Sequence, residues 1–160
     1  MKRAPGRLRV VFDCNTFIQG VSFDAGPAAE CIRLFEAGRF ELFISKPVLA
    51  ELRRVLNYAE VIAISPSMTP QRIGAFLDRV IYRATLVRRV PRFMTFERDP
   101  NDEPYLNLGA AIKADYLVTR DLDLLHLMEG HSPFCKRFRQ KTRPLQVVNP
   151  VEFLKRLESE

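Results

Sequence analysis

Short apolar runs that alternate with helix-periodic segments constrain this chain more than any other feature. Leu8 to Phe12 and Phe40 to Ile44 read as strands, and each is followed by a helical pattern instead of a hairpin turn. Between them, Pro27 opens a helix carrying Ala28, Ala29, Cys31, Ile32, Leu34 and Phe35, which stops at Gly38, a residue suited to a left-handed cap. The next helix starts near Pro47 with Ser45 or Lys46 as its cap. Its apolar residues Val48, Leu49, Leu52, Val55 and Leu56 fall on one arc, with Glu51 just beside it. The Ser65 to Pro70 punctuation leads into a helix through Ile73, Phe76, Leu77, Val80 and Ile81, then a short strand around Ala84 to Val87. Asn101 to Lys113 reads as a helix buried beyond its first turn, where Pro104 removes only a donor that lacks an intrahelical partner. Tyr116 to Thr119 is a strand, Asp121 to Met128 a short helix, Leu145 to Val148 a strand and Pro150 to Leu157 a closing helix. Glu129 to Arg143, basic and without periodicity, reads as a flexible loop. Such alternation predicts an α/β fold in which helices cover both faces of a parallel sheet.

At 160 residues and 47% hydrophobic composition, one domain spanning 1–160 is expected. No apolar run is long enough to span a bilayer, and MKRAPGRLRV passes into the first strand without the apolar stretch of a signal peptide, so a cytoplasmic protein without membrane association is expected. Cys14, Cys31 and Cys135 are odd in number and widely spaced, which favours reduced thiols over disulfides or structural zinc. Cys14 fits a small buried hydrophobe better than a nucleophile, because neither His126 nor His131 is paired with it in sequence.

The net charge of +6 permits a polyanionic partner. Basic residues concentrate in two stretches, one with Arg83, Arg88, Arg89, Arg92 and Arg98, the other with Lys136, Arg137, Arg139, Lys141 and Arg143. Phe93, Phe96, Phe134 and Phe138 interleave with them. This suits phosphate contacts with base stacking, or equally a solvated basic surface whose rings pack inward.

In an open parallel sheet, sites form beyond the carboxyl ends of the strands. Asp13 ends the first strand, in VVFDCNTF, and Asp121 follows a later one. Glu51 lies about a turn into the helix after the second strand, and Asp102 opens the buried helix, so four carboxylates can meet in one crevice. Two such charges about 5 Å apart repel by roughly 3 kcal/mol at an effective dielectric near 20. Four therefore call for protons or a cation. An all-oxygen set favours Mg²⁺ or Mn²⁺ over zinc. Taken singly, Asp13 or Asp121 also suits a cap, Asp102 and Glu103 suit a helix N-terminus, and Glu51 suits a solvated flank.

VVFDCNTF with its following helix, PVLAEL, DPNDEPYLNLGAAIKADYLVTRD and PLQVVNPVEFLKRL together resemble the successive signatures of the PIN domain, particularly its bacterial toxin-like branch. The resemblance covers nearly the whole chain. It implies a three-layer α/β/α sandwich with strand order 3-2-1-4-5. It also implies a metal-dependent endoribonuclease, often the toxin of a toxin-antitoxin pair, with RNA and an antitoxin protein as partners and a homodimer as a possible assembly. On the family pattern, Asp13, Glu51, Asp102 and Asp121 are the catalytic acids and metal ligands. Asn15 and Thr119 orient them by hydrogen bonding, and Asp99, Glu103 and Asp123 are close enough in sequence to exchange roles with them. Arg88, Arg89, Arg92, Lys136, Arg137 and Arg139 become candidates for holding the RNA backbone.

Two other readings compete. VVFDCNTF is also similar to the first motif of haloacid-dehalogenase-type phosphatases, but the position that should carry their second Asp is Asn15, which cannot act as a general acid. A catalytically inactive RNA- or protein-binding module is the other. Carboxylates facing phosphates would weaken such a module unless a metal intervened.

Overall fold

The run Arg9–Phe12 forms β1, buried along its whole length, because it lies at the centre of the sheet with neighbours on both edges and helices over both faces. The computed structural model describes residues 6–160. Residues 1–5, the start of the stretch read as free of a signal peptide, lie outside the described residues. Glu41–Ser45 (β2), Thr85–Val87 (β3), Tyr116–Val118 (β4) and Gln146–Val148 (β5) complete one sheet of order β3-β2-β1-β4-β5, parallel throughout. Val10 pairs with Leu42 on one side and Tyr116 on the other. This is the expected 3-2-1-4-5 order and, with helices on both faces, the expected α/β/α sandwich.

The helices are Cys14–Ser22 (α1), Pro27–Glu36 (α2), Lys46–Leu56 (α3), Ala59–Ile62 (α4), Pro70–Arg83 (α5), Glu103–Ala111 (α6), Leu122–Leu125 (α7), Pro133–Lys141 (α8) and Pro150–Glu158 (α9). A recurrent rule starts them. Thr69-Pro70, Ser132-Pro133 and Asn149-Pro150 each put a capping oxygen before a proline at the first turn, and each cap side chain accepts a backbone N–H from the first turn. Ser45 caps α3 in the same way.

One face of the sheet is closed by an aromatic cluster around Phe153 of α9, whose ring meets Phe40 at 5.3 Å, Tyr116 at 5.5 Å and Phe12 at 6.3 Å, all near edge-to-face. α1 and α2 approach closely at Gly20, where a methyl group would lie 2.3 Å from Ile32 Cγ1 and 2.9 Å from the Ala28 carbonyl. α2 ends in a Schellman motif, with Gly38 at φ +75° and the Arg39 N–H bonded to the Leu34 carbonyl. α6 ends in the same motif, Ala114 N–H to Gly109 carbonyl, but its left-handed position is filled by Lys113 at φ 51°.

The segment expected to be a loop, Glu129 to Arg143, contains α8. Its buried stripe is narrow, Cys135, Phe138 and Thr142 at i, i+3 and i+7, so basic residues conceal the period. Arg139 secures the helix by donating from Nη1 to the Leu127 and Gly130 carbonyls, 2.8 Å each. The helix expected over Asn101 to Lys113 opens with a 3₁₀ turn at Pro100–Asp102 and ends at Ala111. That expected over Asp121 to Met128 divides into α7 and a 3₁₀ turn at His126–Met128.

Candidate metal centre

Asp13 follows β1 and caps α1, and it is itself buried. Its Oδ1 accepts from the Thr16 N–H at 2.8 Å and lies 2.6 Å from Thr16 Oγ1, while Oδ2 accepts from Thr119 Oγ1 at 2.5 Å. Burial pushes this carboxyl up from its ordinary range. The hydrogen bonds from Thr119 and Thr16 pull it back, and Asp121 pushes it further up. Thr119 does double work, since its Oγ1 also accepts the Asp121 N–H at 3.0 Å. Thr119 thus contacts the Asp13 carboxylate and the Asp121 backbone. Asn15 is exposed; Thr16, three residues after the cap, makes the contacts anticipated for it. The Asp-x-x-Thr spacing of an N-cap and its N3 residue is the sequence signal that marks Thr16.

Asp121 caps α7, with Oδ1 accepting from the Asp123 N–H at 2.8 Å. Asp102 closes the 3₁₀ turn ahead of α6, and Asp99 caps that turn. Asp99, Asp102 and Asp121 each offer a carboxylate oxygen such that all three lie within 4.8 Å of one another. Asp102 carries the tension in this group. Its Oδ2 is buried and, among the described residues, has no hydrogen-bond partner. Burial, followed by Asp121, Asp99, Asp13 and Asp123, pushes its carboxyl up to about 7.

Glu51 reaches the same crevice by another route. Its Oε2 accepts from the Tyr105 hydroxyl of α6 at 2.7 Å, and its charge, with that of Asp13, helps burial push the Cys14 thiol up to about 12. Cys14 is thus a buried, protonated thiol, as its type and position suggested. Glu51 does not join the trio. Glu103, one of the acids that might have exchanged roles with Asp102, is committed elsewhere: Oε1 accepts the Phe96 N–H at 2.9 Å and Oε2 pairs with Arg92 at 3.2 Å. Asn107, buried in α6 and given no role in the sequence reading, accepts the Phe93 and Met94 N–H groups on Oδ1. Together they strap the 93–96 backbone onto α6.

The chain's match to the PIN domain family model spans residues 9–123, from β1 into α7. This chain belongs to the PIN domain family. No curated protein matches it. The PIN fold is a nuclease fold, typically dependent on divalent metal and acting on nucleic acid, and this PIN domain carries a cluster of three aspartates. Among the described residues no helix is long and apolar enough to cross a membrane.

The residues fit a hard divalent cation on their own account. A buried oxygen without a donor, on a carboxyl that burial and then its acidic neighbours push up, is a group a cation would relieve. All three clustered donors are carboxylate oxygens, the ligand type of Mg²⁺ and Mn²⁺.

The basic candidates separate by environment. Arg88, Arg89 and Arg92 are exposed and line a cleft of about 720 Å³ that also includes Pro100 and Glu103. Arg137 lines a second cleft of about 710 Å³. Lys136 is exposed and borders neither, and Arg139 is occupied by the two carbonyls it caps. Of the four phenylalanines, Phe138 and Phe96 are packed inward, whereas Phe93 and Phe134 are half-buried.

Proposed function

We propose that this PIN domain is a Mg²⁺- or Mn²⁺-dependent endoribonuclease that hydrolyses phosphodiester bonds of single-stranded RNA, and that it acts in the cytoplasm as the toxin of a toxin-antitoxin pair. The observation that carries the nuclease reading is the Asp102 Oδ2 atom, buried and unpartnered beside Asp99 and Asp121. Such an arrangement is costly in the protein alone and becomes favourable around a cation.

Asp99, Asp102 and Asp121 would hold the ion, with Asp13 adjacent and contributing directly or through water. When bound, such an ion activates water and neutralises the charge that develops on a phosphodiester. The chain's own residues do the positioning. Thr16 and Thr119 fix both oxygens of Asp13, and Thr119 also holds the Asp121 backbone, so two acids from different strands share one anchor. Tyr105 holds Glu51 at the crevice, where its carboxylate can accept a proton from a water. Arg88 and Arg89, exposed in the cleft that also includes Pro100 and Glu103, would hold phosphates of the strand.

The toxin role and an antitoxin partner rest on the ordered motif resemblance to the toxin-like branch. A homodimer is compatible with that branch.

Purified protein should cleave single-stranded RNA with Mg²⁺ or Mn²⁺, lose the activity with chelator, and lose it again in Asp13→Asn and Asp121→Asn. Retained cleavage in both folded variants would remove these carboxylates from the reaction. Co-expression with the product of a small neighbouring reading frame tests the toxin assignment: growth arrest by this chain alone, relieved by that product, is the expected result.

A further inference from the structure

The hydrolytic reading leaves one feature unused. A groove of about 710 Å³ runs between segment 93–98 and the α7–α8 region, within the size range of small-ligand sites. Phe96, buried, backs the groove, and its ring meets that of Phe134 with centroids 5.9 Å apart and a 36° tilt. Phe134 and Phe93 are half-buried, so ring surface remains on the groove wall.

The rim sets Arg98, Arg137 and Lys141 against Glu97 and Asp123. Phe134, Arg137 and Lys141 stand at i, i+3 and i+7 on one stripe of α8, away from the stripe of Cys135, Phe138 and Thr142 that enters the core. Arg137 and Lys141 are exposed, and among the described residues neither has an ion-pair partner. Arg98 marks the end nearest the acids, its Nη1 lying 3.4 Å from Asp123 Oδ1. Asp123 lines the groove and is also one of the charges acting on Asp102, so groove and acidic centre are contiguous.

An apolar peptide would cover the rings but leave Arg137 and Lys141 without counter-charge. A single-stranded polyanion satisfies both, because each nucleotide brings a flat π-face and a phosphate. The 720 Å³ cleft cannot do the same. Its walls are aliphatic and proline-rich, with Val87, Val90, Pro91 and Pro104 beside its arginines, and it offers no ring to a base.

We propose that the aromatic groove holds an unpaired nucleotide flanking the cleaved bond of single-stranded RNA, with the base against Phe134 and Phe93 and its phosphate against Arg137 and Lys141. This rests on the nuclease reading of the adjacent acids. It adds a requirement for an unstacked base at one position of the substrate, so duplex RNA of the same sequence is excluded.

The test reads binding apart from cleavage, by fluorescence anisotropy of a short labelled single-stranded RNA with the full chain in chelator. Phe134→Leu, which keeps apolar bulk and loses the ring, should weaken binding about tenfold, and Phe134→Tyr should restore it. An RNA with one abasic position should lose a similar factor in the wild type and no further factor in Phe134→Leu. The Arg137→Ala/Lys141→Ala variant should reduce the logarithmic salt slope by about 0.7, the value for one phosphate contact on a single strand.

Unchanged affinity in folded Phe134→Leu, an unchanged salt slope, or equal binding of duplex RNA would each overturn the groove assignment. So would self-association that Phe134→Leu abolishes, since the groove would then be an interface between copies. The two readings fail separately. Ring-dependent RNA binding without any metal-dependent cleavage sinks the nuclease reading and spares the groove; cleavage with unchanged binding in Phe134→Leu does the reverse.

Discussion

Asp102→Asn is expected to stabilise the metal-free protein at pH 8 while abolishing its response to divalent cations. The Asp102 carboxyl titrates near 3.8 in an unfolded chain and at about 7 in the native one. Between those values the native state holds a proton that the unfolded state has lost, so stability falls as pH rises and the loss is complete above about 7. Across that window the ceiling is about 4 kcal/mol, at 1.36 kcal/mol per tenfold change. Asp102 is only partly shielded from water, and screening brings the expected effect to about 1–2 kcal/mol. The amide of Asn has no charge to desolvate and can donate toward Asp99 or Asp121. Urea unfolding in chelator from pH 4 to pH 8 should therefore show a shallower decline in the variant, and a higher stability than wild type at pH 8. Adding Mn²⁺ at a hundred times its dissociation constant should restore about 2.7 kcal/mol to the wild type and little to the variant. A variant that is less stable than wild type in chelator at pH 8, with the same pH slope, would show that the Asp102 carboxylate is not strained in the metal-free fold.

Three further outcomes follow from other contacts. Thr119→Val removes the donor to Asp13 Oδ2 and the acceptor of the Asp121 N–H; a loss of about 1–3 kcal/mol in chemical denaturation is expected, with Mn²⁺ affinity by calorimetry falling about 10–100-fold. Gly20→Ala places a methyl group against Ile32 and the Ala28 carbonyl and should cost about 1–3 kcal/mol, visible as a lowered melting temperature; a neutral result would mean α1 and α2 can separate without penalty. Lys113→Gly relieves a left-handed lysine at the end of α6 and should stabilise by about 1 kcal/mol in the same assay, an effect absent from Lys113→Ala.

The parts of this protein that were legible before the structure are those in which one residue type decides. Continuous apolar runs at Val10–Phe12 and Tyr116–Val118 could only be strands buried on both faces, and Pro27, Pro47 and Pro150 mark helix starts because proline fits a first turn. Strand order came from the ordered motifs, since alternation alone does not choose among parallel arrangements. α8 stayed hidden because two apolar residues make its stripe, although Ser132-Pro133 carries the same opening as Asn149-Pro150. Neighbouring polar residues were the harder case. Asn15 and Thr16, or Asp102 and Glu103, differ by one position, and which one turns to the crevice depends on the donors that chain folding brings near. Phe96 N–H and Arg92 claim Glu103, Thr16 reaches Asp13, and Asp102 is left facing its acidic neighbours.

The strap over α6 makes one helix answerable to two surfaces. Glu103 and Asn107 grip the backbone of residues 93–96 from the same few turns that Asp102 precedes, so the groove wall cannot slide without tugging on the acids. Grafting the 88–98 segment of another PIN domain onto this chain should succeed only when its own equivalents of Glu103 and Asn107 travel with it, because the insert would otherwise arrive with no cleats to tie to.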